Sequence, residues 1–253
     1  MKTFTTLTDF ITWRKATTTS VAFVPTMGAL HEGHLTLVRE AKKKCDLVVV
    51  SIFVNPTQFN DPNDLKKYPR TIETDSAKLK ESGADVLLLP NYENMYPDGF
   101  KYKLTESDLS TRFCGAHRPG HFDGVLTIVL KLFNLVRPQV ALFGLKDYQQ
   151  YQLIKKMAAA LFLDIDVIGI ETIREKDGLA MSSRNALLSS AEREKASLLN
   201  KIIAKKISAE KATDELQTAG FDVDYVEDFE DRRLAAAKLG NVRLIDNVEV
   251  PHE

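Results

Sequence analysis

The chain alternates short, continuously apolar segments with segments in which apolar residues recur every three or four positions. Residues 21–24 and 47–54 are apolar at nearly every position, which predicts strands buried on both faces, as in a parallel sheet. Between them Leu37 and Ala41 share one helical face, and this spacing predicts a helix that begins near Gly33. The pattern therefore predicts a strand, a turn, a helix and a second buried strand.

The same alternation continues to about residue 170 and predicts an α/β fold with a Rossmann-like, doubly wound parallel sheet. Gly83 is the expected left-handed cap of one helix. Residues 55–70 and 91–124 are rich in Pro and Gly and are predicted as long loops, the second with a short strand near residues 101–104. Further strands are predicted at 86–89, 140–143 and 165–170, and helices at 71–82, 125–137 and 148–162.

The last third of the chain has shorter and more charged segments. Ser189 and Glu192 form a candidate capping box for a helix whose apolar stripe runs through residues 198–203. Strand-like segments follow at 223–229 and 242–245. We therefore predict two domains, a Rossmann-like domain over residues 1–171 and a smaller α+β domain over residues 172–253.

Composition and charge exclude several classes of protein. Lys and Arg (34) nearly balance Asp and Glu (35), so the formal net charge is -1 and no positive field favours a nucleic-acid partner. The longest apolar runs are far too short to span a membrane, and the first residues lack the apolar core of a signal peptide. Cys45 and Cys114 have no framework-like spacing, so we expect a reduced, cytoplasmic protein.

The string TMGALHEGH, at the first predicted strand-to-helix turn, is the first candidate binding site. Ligands of open parallel sheets collect at the carboxyl ends of the strands, and a helix start offers unpaired N–H groups to phosphate. Gly28 and Gly33 allow close approach of the backbone, and His31 and His34 share one helical face. The string is not a P-loop, because His34 and Leu35 replace the required Lys and Ser/Thr.

Two later strings place polar side chains after predicted strands. Gln58 offers an amide donor and acceptor that can hold a hydroxyl and a carboxylate. Lys146 supplies a mobile charge for phosphate, and Asp147 can accept ribose hydroxyls. Each also has an ordinary explanation, since loop amides are usually solvated and Asp147 suits a helix N-cap.

Taken together and in order, six strings resemble the pantothenate synthetase family within the HxGH nucleotidyltransferase superfamily. They are VPTMGALHEGH, FVNPTQF, YPRT, RPGHFDGV, FGLKDYQQ and MSSRN. The string VRLIDN shows a weaker similarity to the same family. Members of this family use ATP and Mg²⁺ to adenylate pantoate, release pyrophosphate, and transfer the pantoyl group to β-alanine. The resemblance implies ATP, pantoate and β-alanine as partners, a homodimer, and a C-terminal domain that acts as a lid.

The resemblance also implies roles for individual residues. Catalytic roles are implied for His31, His34, Lys146 and Arg184, the last offsetting charge on the departing pyrophosphate. Gln58, with Asn55 beside it, and Gln150 are implied to bind pantoate or β-alanine. ATP is implied to contact Pro25, Thr26, Met27, Gly28, His31, Gly33, His34, Gly144, Leu145, Lys146, Asp147, Ile173, Met181, Ser182, Ser183 and Arg184.

Two features remain open on sequence grounds. Asp75 is a candidate Mg²⁺ ligand, although an isolated helix carboxylate is usually solvated and Mg²⁺ seldom has a dedicated protein cage. The RPGH string, residues 118–121, is a candidate lid over the site, and a structural turn explains it nearly as well.

Three other functions compete with the ligase. A zinc site is one, since Cys and His occur in two clusters: His31, His34, Cys114, His117 and His121. A plain adenylyltransferase would share HxGH but would not need the strings around Gln58 and Lys146. A non-catalytic ATP sensor is the third. Stoichiometric zinc in the purified protein would favour the zinc site. Pyrophosphate release that depends on pantoate would exclude the ATP sensor.

Overall fold

The computed structural model describes residues 1–250, and its central feature is a six-stranded parallel sheet in the order β1-β4-β3-β2-β5-β6. The strands are β1 Lys2–Phe4, β2 Val21–Thr26, β3 Leu47–Ile52, β4 Val86–Leu88, β5 Val140–Gly144 and β6 Asp166–Ile170. The helices of this part of the chain are α1 Leu7–Ala16, α2 Glu32–Lys42, α3 Pro62–Lys67, α4 Ile72–Glu81, α5 Tyr92–Met95, α6 Cys114–His117, α7 His121–Val136 and α8 Tyr148–Ala160. The predicted α/β class and doubly wound parallel sheet are confirmed.

The strand order reverses between β2 and β5. From β2 the chain adds β3 and β4 on one side, and β5 and β6 follow on the other. β2 pairs with β3 along its whole length, whereas its pairing with β5 stops after Phe23 and Ala141. Such a reversal opens a crevice at the carboxyl ends of the strands, where ligands of this architecture bind.

The buried face of α2 packs into the core beside these central strands. Leu37, Val38 and Ala41 are buried, in one cluster with Val24 and Leu142. This contact explains the helical spacing in the sequence, and it holds the first turn of α2 at the end of β2. The predicted helix start near Gly33 and the observed start at Glu32 agree within one residue.

The predicted loops contain more structure than expected. Residues 55–70 include a 3₁₀ turn at Pro56–Gln58 and helix α3, which Asp61 caps and Pro62 begins. The strand predicted near residues 101–104 is absent; that prediction was wrong. Helix α7 begins four residues earlier than predicted, at His121, directly after Gly120 (φ 76°).

A second sheet lies in the C-terminal part of the chain and has three antiparallel strands in the order β7-β8-β9. They are β7 Asp222–Phe229, β8 Arg232–Leu239 and β9 Val242–Glu249, accompanied by α9 Ser190–Ala196, α10 Leu198–Ile203 and α11 Ala209–Thr218. The predicted small α+β domain is confirmed. The Ser189–Glu192 capping box is present on α9, but the apolar stripe predicted for that helix belongs to the separate helix α10.

The chain divides into two compact units. The first contains Met1–Gly144 and Gln150–Ile170, and the second contains Leu145–Gln149 and the chain from Glu171 onward. The sequence placed 145–149 in the first domain. They group with the second unit because Asn247 of β9 donates hydrogen bonds to the carbonyls of Leu145 and Lys146, at 2.8 and 3.0 Å. Among the described residues, no helix has the length and apolar character needed to cross a bilayer.

Candidate active site

The loop after β2 is held in an unusual backbone conformation. Gly28 (φ 82°) and Ala29 (φ 51°) both adopt positive φ values. A side chain at Gly28 would also lie 3.0 Å from Ile52 Cγ2. A non-glycine residue such as Ala29 persists at positive φ only where its surroundings hold it there. Thr26, whose Oγ1 accepts from the Gly28 N–H at 3.2 Å, supplies one such restraint.

Asp75 supplies the stronger restraint. Its carboxylate is 1% exposed and accepts from the N–H groups of Ala29 and Leu30, both at 2.8 Å, and from Thr71 Oγ1 at 3.1 Å. The sequence predicted Asp75 as a Mg²⁺ ligand or a solvated carboxylate. Its buried oxygens accept from the loop, so Asp75 fixes the backbone in front of α2, and its role as a Mg²⁺ ligand stays a prediction.

His31 and His34 together cap α2. His31 Nδ1 accepts from the Gly33 N–H at 3.2 Å, and His34 Nδ1 accepts from the His31 N–H at 3.4 Å. Since an accepting Nδ1 carries no proton, each neutral ring carries its proton on Nε2, which is therefore a donor. The ring centroids are 4.1 Å apart. A Cβ at Gly33 would lie 3.0 Å from the His31 ring, so a larger residue there would displace the ring by a few tenths of an ångström. The arrangement places two imidazole rings at the first turn of α2.

Asn55 and Gln58, after β3, lie beside the same loop. Asn55 is buried, and its Nδ2 donates to Gln58 Oε1 at 3.1 Å and to the Gly124 carbonyl at 3.2 Å. Gln58 Nε2 lies 3.2 Å from Met27 Sδ. The structure therefore brings together Met27 of the predicted ATP set and two residues of the predicted pantoate set, Asn55 and Gln58.

Tyr96 is a member of this cluster that the sequence did not reveal. Its hydroxyl donates to Asn55 Oδ1 at 2.9 Å and lies 3.3 Å from Thr57 Oγ1. Burial raises the pKa of Tyr96 to about 12, the largest cause being loss of solvation. Tyr96 therefore remains a neutral hydroxyl that can orient the Asn55 amide.

The RPGH string contacts the backbone of this cluster. Arg118 Nη2 donates to the Gln58 carbonyl at 3.2 Å, and His121 Nδ1 lies 2.8 Å from the same oxygen. The described residues contain no group of three or more His, Cys, Asp or Glu side chains arranged to hold a metal ion. Both ring nitrogens of His121 lie within hydrogen-bond distance of protein atoms, since its Nε2 is 3.1 Å from Arg118 Nη1.

Gly144 and Gln150 belong to the same edge of the sheet. Gly144 ends β5 and pairs in register with Ile170, the last residue of β6. A Cβ at Gly144 would meet nothing within 4 Å, so its small size leaves open space beside the strand end. Gln150 is half-buried in the first turn of α8. No described contact assigns it a partner, and its predicted role stays a prediction.

In the second unit, the segment around Lys146 is held through its backbone. Lys146 and Asp147 lie in a 3₁₀ turn, Leu145–Asp147, with Lys146 Nζ 3.6 Å from Asp147 Oδ2. Asn247, which fixes the carbonyls of this turn, is 2% exposed and accepts from Arg232 Nη1 at 2.9 Å. Asn247 is the last residue of the VRLIDN string, so this string holds the backbone of the turn that contains Lys146.

The serine-rich segment is held by the neighbouring residue of β9. Asp246 accepts two hydrogen bonds from Arg174, at 2.7 and 3.0 Å, and Arg174 also donates to the Gly178 carbonyl at 3.1 Å. The Met181 N–H donates to the Ile173 carbonyl at 3.0 Å, which closes a short hairpin.

Ser182 follows this hairpin and caps a 3₁₀ turn, Ser183–Leu187, through the Arg184 N–H at 3.2 Å. Asp246 and Asn247 thus hold the two segments that contain the remaining predicted ATP residues of this unit: Leu145, Lys146, Asp147, Ile173, Met181, Ser182, Ser183 and Arg184.

The fold and the histidine loop define a class: a doubly wound α/β protein with the HxGH sequence at the turn from β2 to α2. Comparison with known proteins narrows this class. A family model described as pantoate-beta-alanine ligase matches residues 1–249. The chain belongs to the pantoate–β-alanine ligase family, and as such it is a ligase of pantothenate biosynthesis.

Individual relatives agree with this assignment. Pantothenate synthetase of Bdellovibrio bacteriovorus is 53% identical over 242 residues, 96% of each chain. That of Legionella pneumophila is 47% identical over 249 residues, 98% of this chain and 99% of the relative. A solved structure of pantoate-beta-alanine ligase from Francisella tularensis, complexed with beta-gamma ATP and beta-alanine, has a TM-score of 0.94 at 38% identity and covers 98% of this chain and 97% of that one. Pantothenate synthetase of Thermus thermophilus has a TM-score of 0.90 at 40% identity, with 98% and 99% covered.

Proposed function

We propose that this chain condenses (R)-pantoate with β-alanine through a pantoyl-adenylate intermediate. A pantoate carboxylate oxygen bonds to the α-phosphorus of ATP while the bond to the bridging oxygen breaks and pyrophosphate leaves. The amine of β-alanine then bonds to the acyl carbon, AMP departs, and one proton is released. The observation that carries the proposal is the histidine cap of α2, which places two imidazole rings at a helix start, a setting suited to phosphate.

Charge stabilisation and positioning supply the catalysis in this proposal. His31 and His34 donate to phosphate oxygens of ATP that gain charge during adenylation. Lys146 and Arg184 offset the charge of the phosphates and of departing pyrophosphate. Pantoate is held by Gln58 and Gln150, with Asn55 beside Gln58, so that its carboxylate lies in line with the α-phosphorus.

The remaining proposed ATP contacts are of the kind that glycines and backbone groups make. Gly28, Gly33 and Gly144 leave room for close approach of the nucleotide. Pro25, Thr26 and Met27 border the same loop; Leu145, Asp147, Ile173, Met181, Ser182 and Ser183 complete the set. Mg²⁺ is proposed to arrive on the phosphate oxygens of ATP and on water, since Asp75 is engaged with the loop.

The proposal is tested by following pyrophosphate and AMP separately with ATP and Mg²⁺. We expect pantoate alone to release about one pyrophosphate per enzyme, and pantoate with β-alanine to give continuous turnover with AMP. An adenylyltransferase acting on a phosphate acceptor would not require pantoate, and an ATP sensor would release nothing. Pyrophosphate release that is independent of pantoate contradicts the proposal.

A variant pair tests the role of the histidine cap. His34→Ala should lower the rate of pantoate-dependent pyrophosphate release on the order of 10²- to 10³-fold, the usual effect of losing one such donor. His117→Ala is the matched control, because His117 is an exposed histidine outside the proposed site. Equal activity of the two variants would refute the assignment, and stoichiometric zinc that His117→Ala removes would revive the metal-site alternative.

The proposal extends to a homodimer in the cytoplasm. The family resemblance supports the dimer, and the exposed side chains of Leu161 (41% exposed) and Phe162 (94% exposed) after α8 are the contact we propose for it. Cys45 and Cys114 are not joined in a disulfide, which suits a reducing compartment. Light scattering should give twice the chain mass of 28.4 kDa, and less for Phe162→Ser. A single-chain mass for the unmodified protein would contradict the dimer.

A further inference from the structure

The amide of Gln58 can meet a ligand with its oxygen or its nitrogen, and the surrounding hydrogen bonds select one end. The Gly124 carbonyl only accepts, so Asn55 must turn Nδ2 toward it, at 3.2 Å. The second hydrogen on Asn55 Nδ2 then points to Gln58, so Gln58 must turn Oε1 toward it and accept this hydrogen bond, at 3.1 Å. The orientation of Gln58 therefore follows from a backbone carbonyl two hydrogen bonds away.

The other side of Asn55 supports the same orientation. Its Oδ1 accepts from the Tyr96 hydroxyl at 2.9 Å and from Thr57 Oγ1 at 3.0 Å. All hydrogen-bonding positions of the Asn55 amide are then in use, two as donors and two as acceptors. Because Asn55 is 1% exposed, reversing it would leave buried groups unpaired, which is costly.

With Oε1 engaged, Gln58 presents Nε2 to its remaining surroundings. Nε2 lies 3.2 Å from Met27 Sδ, a thioether that is only a weak acceptor. A carboxylate or hydroxyl oxygen is a much better acceptor, and a substrate oxygen that takes this position gains a stronger hydrogen bond.

The backbone of Gln58 is fixed by the same segment that contains Gly124. The Gln58 carbonyl accepts from Arg118 Nη2 at 3.2 Å and lies 2.8 Å from His121 Nδ1. Since a carbonyl only accepts, His121 donates from Nδ1, and its Nε2 accepts from Arg118 Nη1 at 3.1 Å. A Cβ at Gly124 would lie 2.8 Å from the Gln58 nitrogen, so α7 packs directly on this peptide.

We infer that Tyr96, Asn55 and the RPGHFDG segment form a positioning device that makes Gln58 a hydrogen-bond donor to the acid substrate. The inference rests on the proposed function, in which Gln58 binds pantoate. It assigns the RPGH string to the support of Gln58, and it makes the Gln58 subsite selective for a substrate group that accepts a hydrogen bond.

The first experiment tests the direction of the hydrogen bond. Gln58→Met removes the amide with little change in length, and Gln58→Glu replaces Nε2 with an oxygen. We expect Gln58→Met to raise the KM for pantoate about 10- to 100-fold, the usual effect of losing a hydrogen bond to a charged group. Gln58→Glu should be at least about tenfold worse than Gln58→Met, because two acceptors then face each other. A Gln58→Glu variant that binds pantoate as well as Gln58→Met or better would overturn the inferred orientation.

The second experiment tests whether Tyr96 acts through Gln58. Tyr96→Phe should raise the KM for pantoate about 3- to 30-fold and leave the KM for ATP within about twofold. In the Gln58→Met background the same change should have less than about a twofold effect, since coupled residues are not additive. Thr57→Val provides a second variant for the same cycle if Tyr96→Phe unfolds. Tyr92→Phe is the matched control, because the exposed Tyr92 ring packs at a tilt against Tyr96, with 5.2 Å between the ring centroids.

These outcomes separate the inference from the proposed function. If the unmodified enzyme releases pyrophosphate only with pantoate and Tyr96→Phe acts equally in both backgrounds, the positioning device is refuted and the function stands. If the unmodified enzyme does not use pantoate, the proposed function fails, and the inference fails with it.

Discussion

The contact between Gly124 and the loop after β3 gives the most stringent prediction. In Gly124→Ala the new Cβ would lie 2.5 Å from the Thr57 carbonyl oxygen and 2.8 Å from the Gln58 nitrogen. These are backbone atoms, so they cannot rotate away. Ordinary contact begins at 3.4 Å, so helix and loop must separate by about 0.6 to 0.9 Å. The 3.2 Å hydrogen bond from Asn55 to the Gly124 carbonyl then lengthens to about 4 Å and is lost.

Two energetic effects oppose each other in this variant. Overpacking typically costs about 1 to 3 kcal/mol, and replacing a helical glycine by alanine returns up to about 1 kcal/mol. We therefore expect a net loss of up to about 2 kcal/mol in the free energy of unfolding. The kinetic effect should be larger, since a misplacement of about 1 Å can cost on the order of 10²-fold. We expect kcat/KM for pantoate to fall about 10- to 100-fold, with the KM for ATP nearly unchanged.

The assay compares pantoate-dependent pyrophosphate release with thermal unfolding. Leu126→Val is the matched control, because Leu126 is buried in the same helix on the opposite side and loses one methylene, worth about 1 kcal/mol. The control should lose stability and keep its pantoate kinetics. A folded Gly124→Ala enzyme with unchanged pantoate kinetics would show that this contact does not position Gln58.

Three further predictions concern other parts of the chain. Asp75→Asn should cost about 2 to 4 kcal/mol of stability, because an amide nitrogen would face a backbone N–H, while the Mg²⁺ concentration for half-maximal activity stays unchanged. A large rise in that concentration would restore Asp75 as a metal ligand. Asn247→Ala should raise the KM for ATP about tenfold and leave the KM for pantoate unchanged, with exposed Asn241→Ala as control. Because the pKa of Tyr96 is about 12 in the folded state and about 10 when unfolded, its stabilisation should be complete below pH 10 and decline by about 2 to 3 kcal/mol toward pH 12. The free energy of unfolding of Tyr96→Phe, measured by urea titration, should lack this alkaline decline. An equal decline in the unmodified protein and in Tyr96→Phe would contradict the prediction.

The architecture was predictable because its determinants are local. Strands such as β3 are buried on both faces and therefore read as continuous apolar runs. Gly83 adopts φ 91° at the end of α4, as a left-handed cap requires. The histidine pair and Asn55 follow strands of the central sheet, so topology alone places them at one edge.

The features that escaped prediction depend on distant partners or atypical composition. Strand β8 is built around Ala235, Ala236 and Ala237, which are buried although alanine has low strand propensity. Tyr96 and Gly124 are far from Gln58 in sequence, so no local pattern connects them. The role of Asp75 was missed because a carboxylate that serves two backbone N–H groups has the same local sequence context as a solvated one.

The proline in β2 lies beside the crevice that the reversal of strand order opens between β2 and β5. The Val21 carbonyl accepts from Gln139, before β5, and the Thr26 carbonyl accepts from Phe53, after β3. Because successive residues of a strand face alternate neighbours, Pro25 directs its nitrogen toward β5, and that nitrogen carries no hydrogen. The missing donor at Pro25 coincides with the end of the pairing between β2 and β5 at Phe23 and Ala141. Pro25 thus removes one possible hydrogen bond between β2 and β5, and Pro25→Ala should supply the missing donor and extend the pairing of these strands toward their carboxyl ends.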